Sequence, residues 1–419
     1  MNTKQIGLLA VVSIGIGSML GSGIFALLGD IVLEAGKFSY LVVILTGLIA
    51  LLSGYAYAKV GAKFATTGGM VDFFQLDTFP KRVGKILGVL YLFTASVVIA
   101  IVAKAFAGYL ALSLSQSSSL WIHIYESALT IILAYIVTKG STAVGKIEIF
   151  LVIVKMLIIA IFIVSASLAI GNNNSMKGSF HPTTGGFINS LGLCFFAYGG
   201  FGVIANVGKD LKNHKKNLLR AYIIAIGSVA LIYIFLAFIV LSNLNPKVIK
   251  GHEVVAMALA AKPILGNFGE RIITLAALFA TISGALAMIY ALMRSSFHLG
   301  EIKTLPKIFT KKSFLSSRGF ELWLIGILAL ENFLTLGPIA NAASVFFLVS
   351  YTATFIVAIK HYKKINAKIL PLIIGLFGMA LVVILFILNI VNSKNFLELG
   401  IIVSFIIISI ILTSPKLVK

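Results

Sequence analysis

Lys155 interrupts a long apolar stretch, with Ile149 to Val154 before it and Met156 to Ile161 after it. A charge at that depth in a membrane helix costs several kcal/mol, at least ~2.5 on insertion scales, and neither interface is within easy reach of the amine. A lysine persists there only where something pairs with it or uses it. Burial disfavours the charged form of an amine, which makes Lys155 a candidate proton carrier. Two glycine-rich runs share this apolar setting. The first is Ser13 to Phe25, with Gly15, Gly17, Gly21 and Gly23. The second is Phe195 to Gly202, with Gly199, Gly200 and Gly202.

An interruption in a membrane helix frees backbone N–H and C=O groups, which is tolerable only where they line a cavity or meet a ligand. Gly21, Ser22 and Gly23 would offer backbone donors and a hydroxyl beside the positive end of the half-helix that follows, a setting that favours a carboxylate. Ala197, Tyr198 and Gly199, on to Phe201, would offer carbonyls near a negative helix end, which favours an ammonium. Donors facing acceptors at mid-depth suit a zwitterion, and an α-amino acid is the natural ligand. Tyr198 and Phe201 are then candidate walls or gates, against the alternative of plain core packing. Ser283, with Thr281 nearby, places hydroxyls in the eighth span, where bonding back to the helix's own carbonyls is the competing explanation.

The elements that must hold these residues follow from composition. The 419 residues are 59% hydrophobic and 11% charged, with mean hydropathy +1.07, whereas a soluble domain carries about 25% charged residues. The chain therefore reads as an all-α, multi-pass membrane protein. With about 20 apolar residues per crossing, twelve spans are expected, at roughly 6–28, 38–58, 84–112, 121–138, 146–170, 187–207, 219–242, 271–297, 321–336, 340–360, 370–391 and 396–414. The net charge of +21 does not point to nucleic acid, because it is one-sided. With the amino terminus inside, the outer loops hold only Lys37, Lys177, Lys247, Lys250, Lys262, Arg271 and Lys394. Lys104 and Lys155 lie in spans, and every other Lys and Arg falls inside. That is the positive-inside bias. It predicts two cytoplasmic termini, a cytoplasmic-membrane location and contact with anionic lipid. Met1 to Gln5 lead straight into the first span with no cleavage site, so no signal peptide is expected. The lone cysteine, Cys194, excludes an internal disulfide and reads as a small buried hydrophobe.

The glycine-interrupted spans stand first and sixth. They take equivalent places if residues 1–170 and 187–360 are two five-helix repeats of opposite orientation, followed by two peripheral helices at 370–414. Paired interrupted spans in corresponding positions are a pointer to a transporter binding site, although close packing through small residues is the alternative for either run alone. The outer segment Asn243 to Gly269 is long, with apolar patches, and reads as a partly helical lid. Glu148 is seven residues before Lys155, about 10 Å along a helix axis, too far for direct pairing and best read as interfacial. Lys104, near the outer end of the third span, can snorkel. Glu331 is a carboxylate in the short ninth span with no partner legible. The six histidines form no ligand cluster, so no metal site is expected. No phosphate-binding loop is present, and no cofactor is expected.

At this point the chain resembles the amino acid–polyamine–organocation (APC) superfamily, most closely its broad-specificity prokaryotic amino acid transporters. The resemblance covers spans one to ten. It rests on Ile14 to Phe25, on Lys104-Ala105-Phe106-Ala107-Gly108-Tyr109, on Val144-Gly145-Lys146 through Lys155, on Phe196 to Gly202, and on Lys215-Lys216-Asn217 with Arg220-Ala221. It implies the leucine-transporter-type fold of five plus five inverted helices, with helices one and six broken. It implies a substrate carboxylate on the backbone of Gly21, Ser22 and Gly23, and an amino group on carbonyls around Ala197 to Gly199. In proton-coupled relatives a lysine on helix five takes the place of a sodium ion. Lys155 matches it, and its amine would approach backbone near Gly17 and the side chain of Ser283. After the sixth span the chain departs from the family pattern. Lys209 stands where an acid is usual, and His214 and Leu219 stand where prolines are, so the inner-gate contacts differ; Asp210 is a candidate for the missing acid.

The expectation is a secondary transporter importing amino acids, coupled to protons through Lys155. Neutral substrates are favoured, since no acidic side chain stands beside the interrupted spans. A proton-independent exchanger and a transport-inactive amino acid sensor are the rivals. An enzyme would need acid, base or metal ligands clustered at one depth, and the sequence offers none.

Overall fold

The computed structural model describes residues 7–64, 70–116, 118–170, 180–207 and 211–418. It is helical almost throughout. In chain order the helices are α1 (Leu8–Met19), α2 (Phe25–Ala35), α3 (Ser39–Lys63), α4 (Met70–Phe74), α5 (Lys81–Leu114), α6 (Ser119–Val137), α7 (Ser141–Ile170), α8 (Thr184–Tyr198), α9 (Val203–Val207), α10 (His214–Asn243), α11 (Pro246–Ile249), α12 (Ala256–Glu301), α13 (Arg318–Phe333), α14 (Leu336–Lys360), α15 (Ile369–Asn392), α16 (Phe396–Leu412) and α17 (Pro415–Val418). A two-residue hairpin, β1 (Lys312–Ser313) with β2 (Ser316–Ser317), is antiparallel.

Among the described residues nine helical stretches are long and apolar enough to cross a membrane, and α1 and α16 are shorter apolar helices. The stretch from Phe25 to Lys63 is two helices that turn at Gly36. There φ is +52°, a conformation open to glycine and costly for a residue with Cβ. Gly266, at φ +62°, does the same inside α12. It separates the segment that begins at Ala256 from the long helix that ends at Glu301, so part of the segment expected to form a lid is helical.

Both glycine-rich interruptions are changes of winding rather than extended breaks. Leu20–Ile24 is π-helical between α1 and α2. Gly199–Gly202 is a 3₁₀ turn between α8 and α9. Such local rewinding shifts carbonyl directions while the chain stays helical.

Burial follows a simple rule. The long α5 is enclosed, with nearly every residue from Leu87 to Ala103 buried, and it packs on α12, α6 and α14. In α7 the exposed face carries Ile149, Phe150, Ile153, Leu157, Ile161, Val164 and Leu168, and the opposite face buries Glu148, Val152, Lys155, Ile159 and Phe162. The exposed row suits lipid tails. The buried row is the helical repeat of three to four residues that puts Lys155 against α1 and α12. Apolar residues also dominate the exposed faces of α15 and α16, which suits contact with lipid tails.

Candidate functional site

The site begins where α1 ends. Gly17 has no side chain, so α1 can lie directly on the buried face of α7. A Cβ built on Gly17 would stand 2.5 Å from Val152 Cγ2 and 3.0 Å from Glu148 Oε1. The Gly17 carbonyl is turned toward that face and accepts from Lys155 Nζ at 2.7 Å. The same amine donates to Ser283 Oγ of α12 at 2.8 Å. Lys155 is fully buried and so ties α7 to the edge of the first interruption and to the eighth span. Each hydrogen bond from a charged group contributes about 1.5–3 kcal/mol, which offsets part of its desolvation.

Glu148 is the residue the sequence placed wrongly. It is not interfacial but only 7% exposed. Its Oε1 accepts from Ser283 Oγ at 2.5 Å. Among the described residues Lys155 and Glu148 form no direct ion pair, which agrees with their spacing along α7. The Ser283 hydroxyl joins them instead, accepting from the amine and donating to the carboxylate. A hydroxyl can do both, and no inspection of α7 alone could reveal a bridge that comes from α12.

The interruptions meet each other through backbone. A Cβ on Gly23 would lie 2.9 Å from Ala197 Cα, one on Gly200 would lie 2.6 Å from Met19 N, and one on Gly21 would lie 2.5 Å from the Ala280 carbonyl oxygen of α12. Gly21, Gly23, Ala197, Gly199 and Phe201 are all buried, so the two stretches are closed on one another. The Ser22 side chain lies outside the described residues, as do Lys209 and Asp210. His214 opens α10 after Asn213 in a left-handed conformation, and Leu219 sits in the second turn of that helix.

Phe201 stacks on Tyr351 with centroids 4.8 Å apart and meets Tyr57 edge-on at 5.6 Å. Tyr351 donates its hydroxyl to the Gly199 carbonyl. Tyr198 faces another way, toward α3, where its hydroxyl donates to Val43 O at 3.2 Å. Tyr233, which the sequence reading passed over, holds the two interruptions together. Its hydroxyl lies 2.8 Å from Met19 O and 2.9 Å from Ala197 O, so one hydrogen serves two carbonyls. Losing it removes a hydrogen bond from two buried carbonyls at once, a penalty of ~1–3 kcal/mol. Tyr233→Phe is therefore expected to lower thermal stability and uptake more than Tyr198→Phe, whose single bond is longer. Thermal unfolding and initial uptake rates of the purified variants check this, and equal effects would contradict it.

Lys104 does not snorkel. It donates to the Glu331 carbonyl and lies 3.5 Å from Glu126 Oε2. His123 Nδ1 is 2.8 Å from Glu126 Oε1, and Thr130 donates to Glu331 Oε2 at 2.9 Å. Glu126 and Glu331 are fully buried. This network joins α5, α6 and α13, apart from the interrupted spans, and explains how two carboxylates are tolerated there.

Comparison with known proteins agrees with this architecture. The amino acid permease family model matches residues 6–414. The chain is 35% identical to the inner membrane transport protein YbaT of Escherichia coli, over 92% of this chain and 90% of that protein. It is 25% identical to the methylthioribose transporter of Bacillus subtilis, over 84% of this chain and 79% of the relative. It is also 25% identical to the serine/threonine exchanger SteT of Bacillus subtilis, over 72% and 69%. A helical, multi-pass chain with paired interrupted spans and a match along almost its whole length belongs to the amino acid permease family: it is a membrane transporter of the APC superfamily and not an enzyme.

Proposed function

We propose that the protein is a secondary active importer of amino acids, neutral ones favoured, driven by protons through Lys155. The observation that carries this reading is the double hydrogen bond of one fully buried amine to Gly17 O and Ser283 Oγ. In the proposed cycle the Gly21, Ser22 and Gly23 backbone binds the substrate carboxylate, and carbonyls around Ala197 to Gly199 bind its amino group. Tyr198 and Phe201 border the site. Residues 1–170 and 187–360 act as inverted repeats that rock about it, with both termini in the cytoplasm. Protonated Lys155 tethers α7, α1 and α12. A neutral amine has one donor fewer and no charge, so losing the proton loosens the tether and shifts the balance between two states, by as much as the difference in interaction allows.

Proton-independent exchange is the second reading. It is favoured by the Ser283 bridge, through which Glu148 can hold Lys155 permanently charged, and by the likeness to a protein named as an exchanger. The test is uptake of a panel of labelled amino acids, with methylthioribose included, into sodium-free proteoliposomes with and without an inward proton gradient. Gradient-stimulated uptake of neutral amino acids is the expected result. Amino acid uptake that ignores the gradient selects exchange, and transport of methylthioribose alone would overturn the substrate class.

A further inference from the structure

We infer that Glu148 is a second proton-carrying residue, which takes the Lys155 proton through the Ser283 hydroxyl and passes it toward the end of α7 that begins at Ser141. This rests on the proton-coupled reading above. Three observations carry it. The amine-to-hydroxyl and hydroxyl-to-carboxylate contacts, 2.8 and 2.5 Å, form one unbroken hydrogen-bonded line across two helices. Glu148 is buried, and among the described residues its Oε2 has no hydrogen-bond partner, so the carboxyl group has an oxygen left to exchange a proton with water when the helices part. The residue also lies two helical turns from Lys155, about 10 Å along the axis, on the side that is cytoplasmic in the proposed orientation.

The transfer balances. An Nζ–H bond of Lys155 breaks as an O–H bond forms on Ser283, while the hydroxyl's original O–H bond breaks as one forms on Glu148 Oε1. The serine is unchanged, and the pair passes from one positive and one negative charge to two neutral groups. The pair's total charge is zero before and after, so the step leaves no lone ion in the low-dielectric core. Release of the Glu148 proton to cytoplasmic water, and reprotonation of Lys155 from the other face, complete the circuit.

The surroundings keep this circuit isolated. The cations of α7 are Lys155, joined to Glu148 through Ser283, and Lys146, which is exposed two residues before Glu148. The element α1 presents the Gly17 backbone to it and α12 the Ser283 hydroxyl. On α6, His123 and Glu126 are engaged with each other and with Lys104. The ionisable groups of α10 fall in its first turns, His214 to Arg220, and at Tyr222 and Tyr233.

The test compares wild type, Glu148→Gln and Glu148→Asp in proteoliposomes loaded with a pH-sensitive dye. Amino acid exchange at equal pH, which moves no net proton, is measured beside gradient-driven uptake and the lumenal acidification that accompanies it. In Glu148→Gln, driven uptake and acidification are expected to fall at least tenfold further than exchange does. In Glu148→Asp they are expected to be slowed with a displaced pH–rate profile. Acidification at the wild-type rate and pH profile in either variant overturns the relay. Equal loss of exchange and driven uptake in a folded Glu148→Asp protein also overturns it, because that pattern marks a purely structural carboxylate. Absence of coupled acidification in the wild type overturns the proton-coupled reading itself, and is seen before any variant is made.

Discussion

Replacing Lys155 with methionine is expected to destabilise the purified protein severely and to abolish gradient-driven uptake, and adding Glu148→Gln to the same chain is expected to return much of the stability but none of the coupling. The two contacts of the Ser283 hydroxyl, one with the amine and one with the carboxylate, explain the asymmetry. Lys155 and Glu148 are buried on one face of α7 and joined by Ser283. Removing one member of such a pair leaves an uncompensated charge, a loss of about 3–5 kcal/mol, whereas replacing both with uncharged groups of similar volume is often close to neutral. Groups in one hydrogen-bonded network give coupling energies of about 0.5–3 kcal/mol in a double-mutant cycle. Thermal unfolding of the four proteins in one detergent measures that coupling, and labelled uptake under a proton gradient measures transport. Strictly additive losses would mean that the bridge through Ser283 does not couple the two residues.

How much of this could be read in advance differs between residues. Lys155 was legible as a buried, partnered amine because a single charge in an apolar run of that length persists in a membrane helix only where something pairs with it or uses it. The interrupted spans were legible because glycine spacing survives in one dimension. Glu148 was misread because its environment is made by α12, more than a hundred residues away. Its distance from Lys155 was right, but distance along one helix says nothing about a hydroxyl arriving from another. Lys104 was misread for the same reason, since the groups that hold it come from α6 and α13. Tyr233 gave no signal at all: a tyrosine in an apolar helix is ordinary, and only the meeting of Met19 and Ala197 makes its hydroxyl consequential. The character of the interruptions was also beyond the sequence. Glycine predicts that regular winding fails, and the fold decides whether the chain becomes extended or, as here, π-helical and 3₁₀.

Gly21→Ala is expected to be among the most damaging single-methyl changes in the molecule's glycine runs, on a par with Gly200→Ala. A Cβ at Gly21 would meet the Ala280 carbonyl oxygen at 2.5 Å, Gly284 N at 2.6 Å and Gly284 Cα at 2.7 Å. All three are backbone atoms, so no side chain can rotate away, and α12 must be displaced from the π-helical turn. The reciprocal change, Gly284→Ala, would bring a Cβ to 2.4 Å from Gly21 O. Overpacking of this kind costs about 1–3 kcal/mol or more. The contrast is set by glycines with nothing within 4 Å of a built Cβ, Gly145 in α7 and Gly227 in α10. At those positions alanine is expected to be neutral or to stabilise by up to ~1 kcal/mol, its intrinsic helical advantage over glycine. Thermal unfolding of the four alanine variants should therefore split by sign, and uptake should fail only for Gly21→Ala and Gly284→Ala. If Gly21→Ala kept wild-type stability and uptake, the close approach of the first interruption to α12 would not hold in the working protein. The tether that Lys155 makes through Gly17 and Ser283 would then lose its mechanical meaning, because those residues lie four positions before Gly21 and directly before Gly284, on the same pair of elements.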